Sequence, residues 1–419
     1  MFRLSGFSNI LTALRIRNYR VYMVGSIFSL TGFWMQRIAI GWLTWELTGS
    51  GWWLGMVAAA EFLPSVIVGP LAGAAVDRWE PMHVIRASTA LRIVVSVLLF
   101  GVTAVGFVDV GWLFAINGVL GVIASFNQPA RLALLPSLVH CEALTVSLAL
   151  DSVVFNLALF VGPAIAGALI STGGTALTFL VTAGTFCVQL AALMMITLYV
   201  RDRDRQKKAQ SLFSDMIDGL RYVARHEGIA PLLFLHAAAF IGGRGVFELM
   251  PGIAGDVFAG GAETLALLTS SVGIGAVFGG LWIAQRGVAP GYTRLAVASA
   301  AALMAALGLF LATTTLWVAV PALAISGAAL IVFSICTLTL VQVSVDVDMR
   351  GRVVSIYGII LRGGPAIGAL GMGAASEMIG MRWIVALGVV VLFAALVGTW
   401  RRHALMESTL EKSIAPPLN

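Results

Sequence analysis

Long apolar runs, broken by short polar stretches, repeat from one end of the chain to the other. They lie at 20–46, 52–76, 83–107, 111–127, 144–170, 175–199, 229–255, 263–285, 292–313, 316–340, 352–376 and 381–400. At a rise of ~1.5 Å per residue each is long enough to cross the ~30 Å hydrocarbon layer of a bilayer. The pattern predicts an all-α membrane protein with twelve transmembrane helices. Gly and Pro recur inside the runs, as membrane helices allow where helices approach closely or line a cavity. The strict alternation of a membrane β-barrel strand is absent.

The longest hydrophilic stretch, "RDRDRQKKAQSLFSDMIDGLRYVARHEG" at 201–228, divides the runs six and six. Its second part places Leu212, Phe213, Met216, Ile217, Leu220 and Val223 on one helical face, which predicts a helix lying on the membrane surface. The expected organisation is an N-terminal six-helix bundle at 1–200, a linker with an amphipathic helix at 201–228, a C-terminal six-helix bundle at 229–403 and a tail at 404–419. Related features recur in the two halves. "GPAI" occurs at 162–165 and 364–367, Arg37 and Arg244 are 207 residues apart, and "PLAGAAVDR" corresponds to "FGGLWIAQR" about 208 residues later. Three matches at nearly one offset predict an internal duplication, and hence two pseudo-symmetric bundles.

Composition sharpens the class. The chain is 59% hydrophobic and 11% charged over 419 residues, too little charge to cover a water-facing surface. With the N-terminus in the cytoplasm, nearly every loop Lys and Arg falls on the inner side and only Arg382 outside. That bias predicts a multi-pass protein of a bacterial cytoplasmic membrane with both termini inside. The net charge of +6 is then a topology signal and a contact zone for anionic lipid rather than for nucleic acid. The first run lacks a cleavage site and reads as a retained helix. Cys141, Cys187 and Cys336 offer neither a disulfide framework nor metal-ligand spacing and are expected to be packing residues. No P-loop, metal-ligand cluster or nucleophile–base motif is present, so neither an enzyme, a cofactor nor direct use of ATP is expected.

Charges inside the spans carry the candidate chemistry. Each costs at least ~2.5 kcal/mol at a helix centre, so each needs a partner or a cavity. They are Arg37, Glu61, Arg92, Asp151, Arg244, Glu248 and Arg362. Helical rise places Arg37 and Glu61 at similar depth on adjacent spans, and Arg244 and Glu248 have the i,i+4 spacing at which side chains meet. Two readings stay open: ion pairs that hold helices together, or a central cavity with surplus positive charge. The second suits an anionic or polyhydroxylated substrate, lined by Arg37, Trp34, Arg92, Arg244 and Arg362. Glu61, Asp151 and Glu248 are then candidate proton carriers, because a carboxyl out of water holds its proton more tightly. Of the tryptophans at 34, 42, 45, 52 and 53, the last four are expected in the interfacial belt. His236 is expected to be a hydrogen-bonded packing residue.

At 68–88, "VGPLAGAAVDRWEPMHVIRAS" ends an apolar run in Asp-Arg. This resembles the loop 2–3 motif of the major facilitator superfamily, with Gly73, Asp77 and Arg78 in the matching places. Glu80, Pro81 and Met82 depart from its basic continuation. "ALFVGPAIAG" at 158–167 is similar to the superfamily's antiporter motif through Gly162, Pro163 and Gly167, with Gly364, Pro365 and Gly368 as counterparts. The family's span-four arginine has no match, and Asn117 is the polar residue there. "FNQPARLALLPSLV" and "RGRVVSIYGIILRGGPAIGAL" resemble the drug- and siderophore-exporting branch. The resemblance implies a monomeric secondary transporter of a small molecule, coupled to a proton or other ion, working by alternating access. Asp77 would be the gate residue, meeting the N-terminus of span eleven when the inner side closes, or else a mere topological anchor. Export of a siderophore-like or other anionic compound is the favoured activity. Macrolide efflux and a lysolipid or amphiphile flippase are the alternatives.

Overall fold

Helix starts and stops follow local chemistry. Ser50 caps the helix Gly51–Ile67, its hydroxyl accepting from the Trp53 amide, and Asp109 caps Val110–Leu138 by accepting from Trp112. Pro81 opens the helix Pro81–Ala104, where a missing N–H costs nothing. Gly49 ends the helix Arg17–Thr48 in the left-handed conformation. In this computed structural model, residues 14–197, 212–287 and 290–411 are described. They are helical throughout, with no strand among the described residues.

The order is α1 (Arg17–Thr48), α2 (Gly51–Ile67), α3 (Gly69–Arg78), α4 (Pro81–Ala104), α5 (Val110–Leu138), α6 (Cys141–Met194), α7 (Leu212–Arg225), α8 (Ile229–Ala238), α9 (Ala262–Arg286), α10 (Tyr292–Ala312), α11 (Leu316–Ser344), α12 (Val347–Ile379), α13 (Trp383–Trp400) and α14 (His403–Leu410). Among the described residues nine helical stretches are long and apolar enough to cross a membrane. Large side chains such as Leu91, Val94, Phe278 and Val390 stand outward and exposed on them. A patch of that extent has lipid as its solvent.

The observed elements depart from the sequence pattern where Pro and Gly act on the backbone. The run at 52–76 is two helices, interrupted at Val68 between Pro64 and Pro70. The run at 111–127 continues as helix to Leu138, through Pro129 and Pro136. The runs at 144–170 and 175–199 stay two helices, the two parts of α6, and meet at Gly174, whose φ of 78° and ψ of 173° are not helical. Only glycine adopts that conformation at no steric cost. The run at 229–255 is helical only in pieces. After α8 come π-helical turns at Ala239–Arg244 and Ile253–Val257, either side of short helical pieces. Such wide turns mark functional positions often enough to single this segment out.

One core joins Met35, Ile38, Leu54 and Ala166 of the first half of the chain to the second half's Val246, Met250, Leu265, Met372 and Met381. A second lies wholly in the first half, around Tyr19, Tyr22, Ile85, Leu134 and Leu193. It sits at the end of the molecule that carries Arg78, Arg86 and Arg131, here termed the basic end. Arg86 donates there to the Leu193 and Ile196 carbonyls, which terminate α6.

The linker helix α7 rests on α12. Gly219 backs onto Arg352 and Ile356, and the Tyr222 hydroxyl donates to Asp346. Its other apolar flank, with Met216, Ile217 and Leu220, is exposed; the side chains of Leu212 and Phe213 lie outside the described residues. His226 Nδ1 accepts from the Gly228 and Ile229 amides at the start of α8. Burial lowers the affinity of that imidazole for a proton, which keeps the neutral form the cap requires.

Residues 404–410, expected as part of a tail, belong to α14 and dock against the second half. Glu411 accepts from the backbone amides of Gly291 (2.7 Å) and Thr293 (2.8 Å) and so caps α10 with both carboxylate oxygens. Glu411→Ala should cost about 1–2 kcal/mol, the range of a lost charged cap, with Glu411→Gln intermediate. An apparent Tm for the alanine variant equal to wild type would show that the cap is idle.

Candidate functional site

α1 is polar where it should be greasiest. Gln36 and Arg37 lie mid-helix, and the surrounding helices bring carboxylates to them. Arg37 bonds Glu61 of α2 at 2.8 Å with one guanidinium nitrogen and Glu248 at 2.5 Å with the other. Glu248 sits in the broken segment after α8 and is held a second time by Arg244, at 2.9 Å across one turn. The depth argument on Arg37 and Glu61 and the i,i+4 spacing of Arg244 and Glu248 thus describe two ends of one network. The bond that joins them, Arg37 to Glu248, crosses between the halves of the chain. Side-chain exposures of 6–21% place the four groups largely out of water. Fixed opposite charges interact strongly there, and each is costly if left alone.

Arg92 of α4 stands apart. It is 9% exposed, stacked on Phe33 and Phe186 with ring centroids 5.3 and 5.6 Å from its guanidinium carbon, and makes no ion pair with any described residue. It lines a small cavity of about 10 Å³ with Gln36, Arg37, Glu61 and Asn117, closed on other sides by Phe33, Ile40 and Leu120. Asn117, the polar residue of the 111–127 run, donates to the Val57 carbonyl. Arg362 is half-buried on α12 and likewise unpaired among the described residues. Its neighbour Gly363 faces Val66 of α2.

Asp151 is not free. Arg131 holds it at 2.5 Å and also donates to the Tyr22 hydroxyl, at the basic end. The apolar run at 111–127 leaves Arg131 outside the span, among the loop charges of the inner side. The helix runs on through Pro129, and that extra length carries Arg131 to Asp151. Trp34 is buried and packed edge-on against Phe33 and Phe155, with no open face for a ligand. Trp42 and Trp45 pack, partly buried, against the large core, and Trp52 is exposed. His236 is buried against Phe240, Phe333 and Tyr357, and neither ring nitrogen has a hydrogen-bond partner. The expectation of a hydrogen-bonded histidine is therefore corrected to one packed by aromatic rings. Cys336 is buried, Cys187 is exposed rather than packed, and the Cys141 side chain lies outside the described residues.

The glycine motifs serve close packing. Gly162 abuts Thr31 and Trp34 of α1, and Gly364 abuts Phe240 and Ile241 after α8. These are corresponding places in the two halves. Gly368 abuts Ile241 and Gly245, while Gly167 meets Ala266 of α9 across the halves. Pro163 and Pro365 lie within α6 and α12. At the basic end Gly73 faces open space and Arg78 is exposed; the side chain of Asp77 lies outside the described residues.

A contact that sequence reasoning missed lies at the opposite end. Glu377, near the close of α12, accepts from the Ser50 hydroxyl at 2.7 Å and the Trp52 amide at 3.2 Å. A carboxylate of the second half thus caps a helix N-terminus of the first. Close by, Gly55 lies against Ala369 and Gly373 against Gly51. Trp45 covers Gly255, and Leu54 and Met381 cover Gly252. These contacts between halves share the end away from the basic loops. At the basic end α3 packs on α2 and α5, and α4 on α5 and α6, all within the first half.

Comparison with known proteins agrees with this architecture. Among curated relatives, the multidrug efflux pump Tap of Mycolicibacterium fortuitum is 31% identical over 199 residues, covering 44% of this chain and 47% of that one. The staphyloferrin A transporter of Staphylococcus aureus is 23% identical, covering 61% and 64%. The macrolide efflux protein A of Streptococcus pyogenes is 24% identical, covering 91% and 95%. The chain thus spans about half the length of the Tap pump that it matches. Among solved structures, a point mutant of the nucleoside transporter NupG superimposes with a TM-score of 0.75 at 12% identity, covering 92% and 99%. A bacterial homologue of the iron transporter ferroportin, in an inward-facing state, gives 0.69 at 15%, covering 93% and 99%. At such identities these two show the fold alone. The family described as transmembrane secretion effector matches residues 8–415. The chain is therefore a multi-pass membrane protein that belongs to the transmembrane secretion effector family of the major facilitator superfamily.

Proposed function

We propose that the protein is a secondary active exporter of a small organic molecule that works by alternating access. The observation that carries this reading is Arg37, clasped at once by Glu61 of its own half and Glu248 of the other. A hydrated seam could not hold such a bond usefully; a seam that opens and closes can, because a few charge contacts bias a rocking equilibrium without locking it. On this reading twelve helices form two pseudo-symmetric bundles, 1–200 and 229–403, joined by the 201–228 linker and followed by the 404–419 tail. The basic end faces the cytoplasm of a bacterium, both termini lie on that side, and the contacts at Ser50–Glu377 and Gly55–Ala369 belong to an outwardly closed conformer. Asp77 would make the equivalent contact when the inner side closes.

The cargo we favour is siderophore-like or otherwise anionic. Arg362, half-buried beside the α2–α12 seam with no counter-charge among the described residues, supports that choice, as does the presence of a staphyloferrin A transporter among the relatives. Protons are the proposed coupling ion, with Glu61, Glu248 and Asp151 as carriers. Each is ion-paired in this conformer, so a proton taken up by any of them weakens a bond that holds it. Everted membrane vesicles energised with a proton gradient test the reading. Gradient-dependent uptake of a carboxylate siderophore, reduced at least tenfold in Arg362→Ala, is the expected result. Uptake that ignores the gradient would reject the coupling, and uptake intact in Arg362→Ala would reject the anion argument.

A second reading, hydrophobic drug or amphiphile efflux, is favoured by one feature. A groove of about 400 Å³ opens between α4 and α5, lined by Trp79, Val84, Leu91, Val122, Ile123 and Phe126. Saturable macrolide uptake in the same vesicles, with no siderophore uptake, would select it.

A further inference from the structure

The groove between α4 and α5 is long, reachable from outside and almost without polar groups. On α4 it runs from His83 to Leu91, eight residues or ~12 Å along the helix. On α5 it takes in Phe126 and, one turn deeper, Val122. It therefore lies along the helix axes, with its mouth at the basic end, where the exposed Trp79 stacks on Phe126 at 6.1 Å between ring centroids. Both helices are long and apolar enough to span a bilayer. Leu91 is 53% exposed and Val122 38%, so the wall is open to the surroundings. Leu91 also continues into the outward stripe of Val94 and Leu98, whose solvent is lipid. At the mouth His83 pairs with Glu80 at 3.0 Å. Below it the wall holds one polar side-chain group, the Ser88 hydroxyl, which donates to the Ile85 carbonyl and accepts from the Asn127 amide. A polar guest would give up water there for no hydrogen bond, whereas hydrocarbon gives up nothing.

We propose that this groove holds one acyl chain of a membrane phospholipid, from the leaflet at the basic end, with the headgroup level with Trp79 and His83. Direction, size and chemistry agree on that guest. The groove runs as the chains of a bilayer run, along the spans and inward from the headgroup level, and a tryptophan at its mouth stands where indole rings favour the interface. A cavity of about 150 Å³ takes the six carbons of benzene, so about 400 Å³ takes roughly sixteen, the length of a lipid chain. A flat outer face is covered by whichever lipid passes; a concave one retains a single chain. That chain would fill the space beside the Trp79–Phe126 stack and so support the turn from α3 into α4, whatever cargo the protein carries.

The test takes the purified full chain, stripped of lipid in a maltoside detergent, and titrates it with dioleoyl phosphatidylglycerol or dioleoyl phosphatidylethanolamine. The expected result is a saturable rise in apparent Tm with either lipid, because a ligand of the native state raises stability, and one phospholipid retained per chain in native mass spectrometry. Ala87→Trp fills the groove from an exposed position, and Leu91→Asn makes its wall polar. Each should raise the lipid concentration needed for the Tm response at least tenfold and lose the retained lipid. Val94→Trp, on the outward stripe beyond the groove, should keep both. A phospholipid with brominated chains should give an anomalous scattering peak between α4 and α5. Retention undiminished in Ala87→Trp overturns the proposal, as does bromine found only elsewhere on the surface. A response to phosphatidylglycerol alone would place the lipid on the basic loops instead, and erythromycin displacing the retained lipid from the groove would give the groove to cargo; either result rejects the proposal. Should Leu91→Asn fail to fold, Ala87→Trp and the bromine position still decide.

Discussion

Glu248→Gln will destabilise the protein by roughly 3–5 kcal/mol, the cost of removing one partner from a buried ion pair. The reason is the arithmetic of the network. Arg37 retains Glu61, but Arg244, with a side chain 21% exposed, loses its only carboxylate. The double variant Arg244→Met with Glu248→Met should recover most of the loss, since it removes a charge pair together and leaves Arg37–Glu61 whole. The two variants share one further property: neither retains the Arg37–Glu248 bond between the halves. Both should therefore shift the conformational balance toward opening at the end away from the basic loops, seen as faster labelling of a cysteine placed at Gly41, which faces Pro251 across that seam. Stability and conformational balance thus separate in one pair of measurements. An unchanged Tm for Glu248→Gln would mean that the network is not the buried pair its geometry describes.

How much of this network could be read beforehand follows from what a helix encodes. Rise per residue is uniform, so the depths of Arg37 and Glu61, and the one-turn spacing of Arg244 and Glu248, follow from counting residues. Azimuth does not. Which side of α1 turns toward the second half depends on how α1, α6 and the broken segment pack together, and that depends on contacts such as Gly162 against Trp34. The bond from Arg37 to Glu248 was therefore out of reach. Breaks in the backbone were hidden for a related reason. Pro70 stops α2 from continuing into α3, whereas Pro129 sits inside an unbroken α5. Membrane helices tolerate proline at some positions and break at others, and a single sequence does not show which. The π-helical turns around Arg244 and Asp256 carry no signature beyond their glycines. Glu377 and Ser50 were missed because an acidic residue at a span end resembles any solvated terminus until its partner is seen.

The second large effect concerns two pairs of glycines that both lie close against backbone, but in different places. A side chain at Gly55 would run into the Ala369 carbonyl of α12, and one at Gly373 into the Gly51 carbonyl of α2. Both clashes fall on the seam between the halves. A side chain at Gly275 would run into Ala324, and one at Gly327 into Val272, where α9 crosses α11 within the second half. If the halves rock as rigid bodies, the two kinds of wedge have opposite consequences. Gly55→Leu and Gly373→Leu can be relieved by opening the seam, so these variants should insert and melt within a few degrees of wild type yet lose transport by at least a hundredfold, trapped open at that end. Gly275→Leu and Gly327→Leu have no such escape. Overpacking between two helices fixed in one body typically costs 1–3 kcal/mol and more for a bulky insertion, so they should lower Tm sharply and reduce the amount of folded protein in the membrane. Cysteine labelling at Gly41 separates the cases: raised in the seam variants, unchanged in whatever folded protein the α9–α11 variants yield. Wild-type transport by Gly55→Leu would show that the seam does not have to close during the cycle, and the alternating-access reading would fail with it.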